Sequence, residues 1–235
     1  ANDYPNGQAY VCGVPQEYDL WFEVHEIHQV ERDALYQEAF RPFNLEYPPL
    51  QPVREAIERG YWEEAVRRLV AHFESREDLI PADIREPRYD PEFDTREADL
   101  AAEHKVLLPD GTTVDLGPHW SHYTLWPERG GVGLTRAGLR KPLAAGYANT
   151  GNEKYARAFS DMLYHLFQQC PSPLKAGVWK SDQKIPGALP PGLAGGSMWS
   201  ALSIGARLGH ALTYYGRLIR SPNFPLEIRA AFIFN

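Results

Sequence analysis

Apolar residues recur at helical spacing in several parts of the chain, most clearly from Leu134 to Pro171. Leu139, Leu143 and Tyr147 follow one another every four residues before the turn Asn149-Thr150-Gly151-Asn152. After the turn, a second apolar face consists of Tyr155, Phe159, Met162, Leu163, Leu166 and Phe167. Helical periodicity on both sides of a short turn that contains glycine predicts an αα-hairpin.

A second helical pair is predicted between Val53 and Ser75. Its first helix ends near Gly60, because glycine favours the left-handed backbone conformation found just after helices. Its second helix has one apolar side, which is formed by Trp62, Ala65, Val66, Leu69, Val70 and Phe73. We therefore expect a short helical hairpin here as well.

The segment from Gly196 to Arg220 is predicted to be a helix that is apolar on nearly every side, and therefore buried or lining a cavity. Arg207 lies within it, and a guanidinium in apolar surroundings requires an anionic partner. That partner is either an acid of the first half of the chain or an anionic ligand. His210, three positions further on, lies on an adjoining face and is more typical of a core histidine than of a catalyst.

The helical periodicity of apolar residues is weaker between the predicted helices. Residues 78–104 mix acids with prolines and lack periodicity, which predicts a linker or a loop on the surface. Asp110-Gly111 lies between apolar flanks within residues 107–118, which is typical of the tight turn of a small β-hairpin or extended arm.

Charge is unevenly distributed along the 235 residues. The net charge is −7, but residues 1–117 carry 11 basic and 26 acidic residues, and residues 118–235 carry 13 basic and 5 acidic residues. A basic half on an acidic protein favours a localised anion site over a coat for nucleic acid, so no nucleic-acid partner is expected. The alternative is that the two halves neutralise each other across an interface.

Membrane, metal and cofactor partners are not expected. No apolar run approaches the ~20 residues needed to span a bilayer. Cys12 and Cys170 are too few for a metal motif, and they form either one disulfide or two buried thiols. His119 and His122 are three residues apart, whereas the zincin pattern requires four. The glycine-rich stretch before Ser197 is better explained as the entry to a helix than as a phosphate loop.

Aromatic rings and hydrogen-bond donors are concentrated at His119-Trp120-Ser121-His122-Tyr123. Trp120 and Tyr123 are suited to stacking against sugar faces, and His122 is suited to holding hydroxyl groups. Ordinary burial of aromatic side chains explains this cluster equally well.

Three segments, taken in order, resemble the amino-terminal part of the heparinase II/III-like polysaccharide lyases, which include alginate lyases of similar build. They are DLGPHWSHYTLWP, LTRAGLRKPLAAGYANTGNEKYARAF and SMWSALSIGARLGHALTYYGRLIRSPNFP. The family has a helical pair followed by a W-x-x-L-x-x-G-x-R helix. The counterparts in this chain are Arg136, Leu143, Tyr147, Thr150, Gly151, Tyr155, Trp199, Leu202, Gly205 and Arg207.

The resemblance implies an all-α fold, namely an incomplete α/α toroid of helical hairpins with long loops and a small extended or β-hairpin arm. Residues 1–105 would form an acidic helical region with a linker, and residues 106–235 the first toroid pairs, truncated at the carboxyl end. Further toroid helices and a β-sandwich of the same polypeptide would be its partners. A periplasmic or extracellular location is expected.

The resemblance also implies cleavage of an anionic polysaccharide that contains uronate, either a glycosaminoglycan or alginate, by β-elimination. In this reaction a base takes the proton at C5 and an acid assists departure of the sugar linked through O4. The family's catalytic residues lie after the W-x-x-L-x-x-G-x-R helix, so they are expected downstream of Asn235 and remain unknown. The residues expected to bind substrate are Arg207, Trp199, His210, Trp120, His122, Tyr123 and Arg136.

Two other functions remain open. An α/α-toroid glycoside hydrolase requires two carboxylates in the cleft, roughly 5–10 Å apart. The basic half has few acids, of which Glu153 and Asp161 are expected to be exposed on the helical hairpin. A non-catalytic helical domain that binds carbohydrate or acts as a scaffold is the second alternative. Because the family's catalytic positions are expected after Asn235, the chain is either a fragment of a longer enzyme or a domain that binds without cleaving.

Overall fold

The computed structural model describes residues 10–11, 14–15, 36–37, 39–86, 88–107, 111–117, 140–169 and 201–234, with backbone alone for residues 10–11, 14–15, 165–169 and 201–208. Its helices are α1 (Gln51–Glu58), α2 (Trp62–Ser75), α3 (Ala82–Arg85), α4 (Arg96–Ala102), α5 (Arg140–Thr150), α6 (Glu153–Gln169), α7 (Ala201–Leu218) and α8 (Leu226–Phe234). Its strands are β1 (Tyr10–Val11), β2 (Val14–Pro15), β3 (Lys105–Leu107) and β4 (Thr113–Asp115), which pair as β1 with β2 and β3 with β4. The predicted all-α fold with a small β-hairpin arm is confirmed.

The predicted hairpin at residues 53–75 is confirmed as α1 and α2. Gly60 has a φ of 73°, so it adopts the left-handed conformation that ends α1. The apolar side predicted for α2 is buried from Trp62 to Val70. It packs with α1 and with aromatic residues that precede α1, including Tyr36, whose ring stacks on Trp62 at a centroid distance of 5.2 Å.

The hairpin of α5 and α6 is also confirmed, but its turn is shorter than predicted. Asn149 and Thr150 belong to α5, where their side chains donate to the carbonyl oxygens of Ala145 and Gly146 at 2.8 and 2.6 Å. Gly151, with a φ of 67°, reverses the chain. The backbone of α6 then begins after Asn152. The predicted buried face of α6 is confirmed at its described side chains Tyr155, Phe159, Met162 and Leu163.

The prediction that residues 78–104 form a linker or surface loop is wrong. This stretch contains α3 and α4, and Ile80, Ala98 and Ala101 are each about 1% exposed. These residues belong to the same apolar cluster as Leu143 of α5 and its neighbours on α6 and α7. The apolar residues of this stretch are small or isolated, so they form no helical periodicity that would predict their burial. They are buried because other helices cover them. The division of the chain at residue 105 stays a prediction.

The predicted β-hairpin arm is present as antiparallel β3 and β4, with Val106 opposite Val114. Gly111 has a φ of 83°, as a tight turn requires. The arm is attached to the helical core through Leu116, which is 1% exposed and whose backbone N–H donates to the His104 carbonyl oxygen at 2.7 Å.

The two apolar clusters of the described chain meet at α8. Ile228 packs with the cluster of α4 to α7, whereas Ala230, Ala231 and Phe234 pack with α1 and α2. A helix between two clusters is buried on several sides, which explains its lack of a polar face. The described helices include none that is long and apolar enough to cross a membrane.

Helix α7 is buried on one side only over its described side chains. Tyr215 and Leu218 are buried, whereas Leu212 is 40% exposed. Of the two alternatives predicted for this helix, burial on nearly every side is wrong for this half, and the lining of a cavity stays a prediction. Gly216 lies against α3, and a Cβ atom at this position would be 2.5 Å from Cγ2 of Ile80 and 2.8 Å from Cγ2 of Ile84. The absence of a side chain therefore permits the close contact between α7 and α3.

We expect Gly216→Ala to lower the free energy of unfolding by about 1–3 kcal/mol, because the added methyl group has no space between two packed isoleucines. Gly209→Ala in the same helix is the control, since a Cβ atom there has no neighbour within 4 Å. It should be neutral or stabilising by up to about 1 kcal/mol, because alanine favours helix more than glycine does. Urea denaturation of both variants measures the difference, and equal stabilities would contradict the packing of α7 on α3.

Candidate cationic site on helix α7

One stripe of α7 has polar and aromatic side chains instead of aliphatic ones. His210, Tyr214 and Arg217 follow at intervals of four and three residues, which places them on the same face of the helix. The sequence of α7 contains no aspartate or glutamate. The stripe therefore has a positive charge that no acid of its own helix compensates.

The stripe is organised around Tyr214. Its ring stacks on that of His210, with a centroid distance of 5.9 Å and an interplanar angle of 27°. Tyr214 is 5% exposed whereas His210 is exposed, so the pair extends from the core to the surface. Burial raises the pKa of the Tyr214 hydroxyl, and the nearby cations Arg140 and Arg217 oppose that shift.

Arg140 comes from the first turn of α5, which packs against α7. It is 6% exposed, which is rare for arginine. Two guanidinium groups from neighbouring helices thus lie within electrostatic range of one buried tyrosine. We refer to Arg140, His210, Tyr214 and Arg217 as the α7 face.

Other cations of the basic half form ion pairs with acids of the first half. Lys154 Nζ lies 2.6 Å from Asp99 Oδ1, and it lowers the pKa of that carboxyl together with the Tyr155 hydroxyl. Further pairs join Arg220 to Glu86 and Arg229 to Glu74. The expected neutralisation between the halves is confirmed at these three positions. Among the described residues, Arg217 pairs with no carboxylate.

Comparison with known proteins identifies the family. The family model described as Heparinase II/III N-terminus matches residues 39–235. The chain belongs to the heparinase II/III amino-terminal family. The resemblance expected from its helical segments is therefore confirmed. No curated protein matches the chain.

Solved structures show the same relationship at the level of the fold. A heparinase III with methylated lysines superposes with a TM-score of 0.63 and 22% identity, over 84% of this chain and 31% of that one. The heparan sulfate lyase HepC from Pedobacter heparinus gives a TM-score of 0.59 and 25% identity, over 83% of this chain and 30% of that one. The chain thus spans about a third of these proteins. Its helical pairs correspond to the amino-terminal part of the heparinase toroid.

Only part of the predicted binding set of this heparinase II/III chain lies within the described structure. His210 is on the α7 face and exposed. Arg207 lies in α7 one helical turn before it, but its side chain is outside the described residues, as are Trp199, Trp120, His122, Tyr123 and Arg136. Their roles stay predictions.

Arg140, Tyr214 and Arg217 were missed in the sequence as candidate site residues. A signal was present for two of them, because Arg207, His210, Tyr214 and Arg217 are separated by three, four and three residues and so share one stripe. Arg140 had no such signal, because its place beside Tyr214 results from the packing of α5 on α7.

The carboxylates considered for a glycoside hydrolase have structural partners. Glu153 is only partly exposed, contrary to expectation, because it accepts hydrogen bonds from the Ser221 hydroxyl and, at 3.0 Å, from the Asn223 amide. Asp161 Oδ2 lies 3.7 Å from His104 Nε2 and is 41% exposed. Within the described ranges, no group of three His, Cys, Asp or Glu side chains is arranged to hold a metal ion.

Proposed function

We propose that this chain is the amino-terminal, substrate-holding part of a lyase that cleaves anionic polysaccharide containing uronate, either a glycosaminoglycan or alginate, by β-elimination. Membership of the heparinase II/III family supports a relationship to polysaccharide lyases. HepC, which is 25% identical over the superposed part, is a heparan sulfate lyase, and this supports a glycosaminoglycan as substrate.

The observation that carries the proposal is the positive charge of the α7 face. Arg217 forms no ion pair with the described carboxylates, and the exposed His210 ring, which stacks on the buried Tyr214, lies on the same stripe of the helix. A guanidinium binds a carboxylate or sulfate through two parallel hydrogen bonds, and aromatic rings pack against the C–H faces of sugars. The α7 face therefore has groups that suit a negatively charged sugar.

The chemistry of β-elimination gives such cations a role. Removal of the proton at C5 places negative charge next to the uronate carboxylate, and a cation on that carboxylate stabilises the charge. We propose that Arg217 and Arg207 hold acidic groups of the polymer and keep the chain in register. The base and the acid would come from residues after Asn235 in the same polypeptide. A polymeric substrate fits a periplasmic or extracellular location.

We expect Arg217→Met to weaken binding of a heparan sulfate octasaccharide by about ten- to hundredfold, the loss of roughly one charge-assisted hydrogen bond. The melting temperature should stay unchanged, because Arg217 makes no described ion pair. Arg59→Met, which removes an exposed arginine at the end of α1, is the control and should retain the affinity. Titration calorimetry measures both variants, and an equal effect of the two would contradict a specific α7 site.

The 235-residue chain by itself should bind the octasaccharide but not cleave it, because β-elimination requires both a base at C5 and an acid at O4. Cleavage produces an unsaturated uronate, which absorbs in the ultraviolet. We expect no rise in absorbance with this chain and a clear rise with the longer polypeptide. Robust cleavage by the chain alone would place the catalytic groups within it and contradict the proposed division of roles.

A further inference from the structure

A cavity of about 240 Å³ lies between α4 and α5, in addition to the α7 face. It is lined by Phe93, Asp94, Arg96, Glu97, Ala98, Lys141, Pro142 and Ala145. Pockets for drug-sized ligands are about 300–1,000 Å³, so this cavity suits a smaller group, of the order of one sugar ring. Its lining combines an aromatic ring, apolar atoms and charges of both signs.

The floor of the cavity is fixed by close packing of the two helices. A Cβ atom at Gly146 of α5 would lie 2.8 Å from the Ala98 side chain of α4 and 2.9 Å from the Tyr155 ring. Ala98 and Gly146 are buried, so α4 and α5 are already as close as their side chains allow. The cavity above this contact is therefore preformed.

The loop that supplies Phe93 is held at both ends. On one side, the backbone N–H of Asp90 donates to the Asn149 carbonyl oxygen at 2.9 Å, which attaches the loop to the end of α5. On the other side, the Thr95 hydroxyl donates to Asp99 Oδ2 at 2.8 Å. The half-buried Phe93 ring is thus positioned before any ligand arrives, which lowers the entropic cost of binding.

The charged groups of the cavity divide into paired and unpaired ones. Arg96 Nη2 lies 3.6 Å from Asp94 Oδ2, so these two groups compensate each other. Lys141 and Glu97 are exposed, and neither forms an ion pair or hydrogen bond with its side chain among the described residues. One ammonium group and one carboxylate therefore remain available beside the aromatic ring.

We propose that this cavity is an accessory subsite for a single uronate unit of the polysaccharide, an inference that rests on the proposed function. Lys141 binds the sugar carboxylate, Glu97 accepts hydrogen bonds from its hydroxyl groups, and Phe93 packs against a C–H face of the ring. A neutral hexose would leave Lys141 without its anionic partner. The subsite thus selects acidic sugars and gives the polymer a second point of attachment, away from the α7 face.

The test is a titration of the 235-residue chain with methyl glucuronide, followed by amide chemical shifts in two-dimensional NMR. We expect saturable shifts in residues 93–97 and 141–145. Lys141→Met should weaken this binding about two- to fivefold, as expected for one exposed charge contact. Phe93→Leu, which keeps an apolar side chain but removes the flat ring, should also weaken it.

Lys105→Met is the matched control, because it removes a lysine on β3 that is paired with Glu103 at 2.8 Å. It should leave the affinity unchanged. The inference is overturned if residues 93–97 and 141–145 show no saturable shifts, or if Lys105→Met and Lys141→Met have the same effect. Methyl glucoside should bind more weakly than methyl glucuronide, and equal binding would also overturn the selection of acidic sugars.

The same titration, repeated with a heparan sulfate octasaccharide, separates this inference from the proposed function. Shifts at residues 209–217 without shifts at the cavity retain the α7 face and overturn the accessory subsite. Shifts at the cavity without shifts at residues 209–217 retain the subsite and contradict the role proposed for the α7 face.

Discussion

The arrangement of the described helices depends on one carboxylate, that of Glu74 near the end of α2. It accepts hydrogen bonds from the Tyr215 hydroxyl of α7 at 2.7 Å and from the Arg229 guanidinium of α8 at 2.9 and 3.0 Å. Burial raises the pKa of the Tyr215 hydroxyl, and the charge of Glu74 raises it further, so this tyrosine stays a neutral donor. One partly buried carboxylate thus joins three helices from both halves of the chain, since the side chains of Arg229 and Glu74 are 23% and 18% exposed.

The contact between Glu74 and Arg229 is one of the described ion pairs that join the acidic and basic halves of the chain. Acids of the first half form ion pairs with Lys154, Arg220 and Arg229 of the second half. These contacts use basic residues that face other helices, while Arg217 has no described ion pair. The neutralisation of the two halves and a localised anion site began as alternatives, but ion pairs between the halves and a cation without a described carboxylate partner occur in the same structure.

The parts of the fold that were predictable from the sequence are those with local causes. The helical pairs follow from apolar periodicity and from Gly60 and Gly151, whose positive φ values end the preceding helices. Residues 78–104 were not predictable in the same way, because Ile80 and Ala98 are buried against residues distant in sequence, among them Gly216 and Gly146.

In the candidate site too, features with a local cause were predictable from the sequence, and features that depend on packing between helices were not. His210 was identified from its helix, but its stacking on Tyr214 and the approach of Arg140 required the packing of α5 on α7. Arg140 lies four residues after Arg136, which belongs to the predicted binding set. Nothing in the local sequence of Arg140 indicates that it faces another helix. Spacing along one helix predicts which residues share a face. Which neighbouring helix contributes to that face is determined by tertiary packing.

We propose that the polyanion binds on the α7 face, where Arg217 has no carboxylate partner among the described residues. Hydrogen–deuterium exchange of the chain, with and without a heparan sulfate octasaccharide, tests this claim most directly. We expect slower exchange in residues 209–217 and in the first turn of α5, because bound ligand suppresses local opening of these helices. Protection confined to α1 and α2, or none at α7, would contradict it.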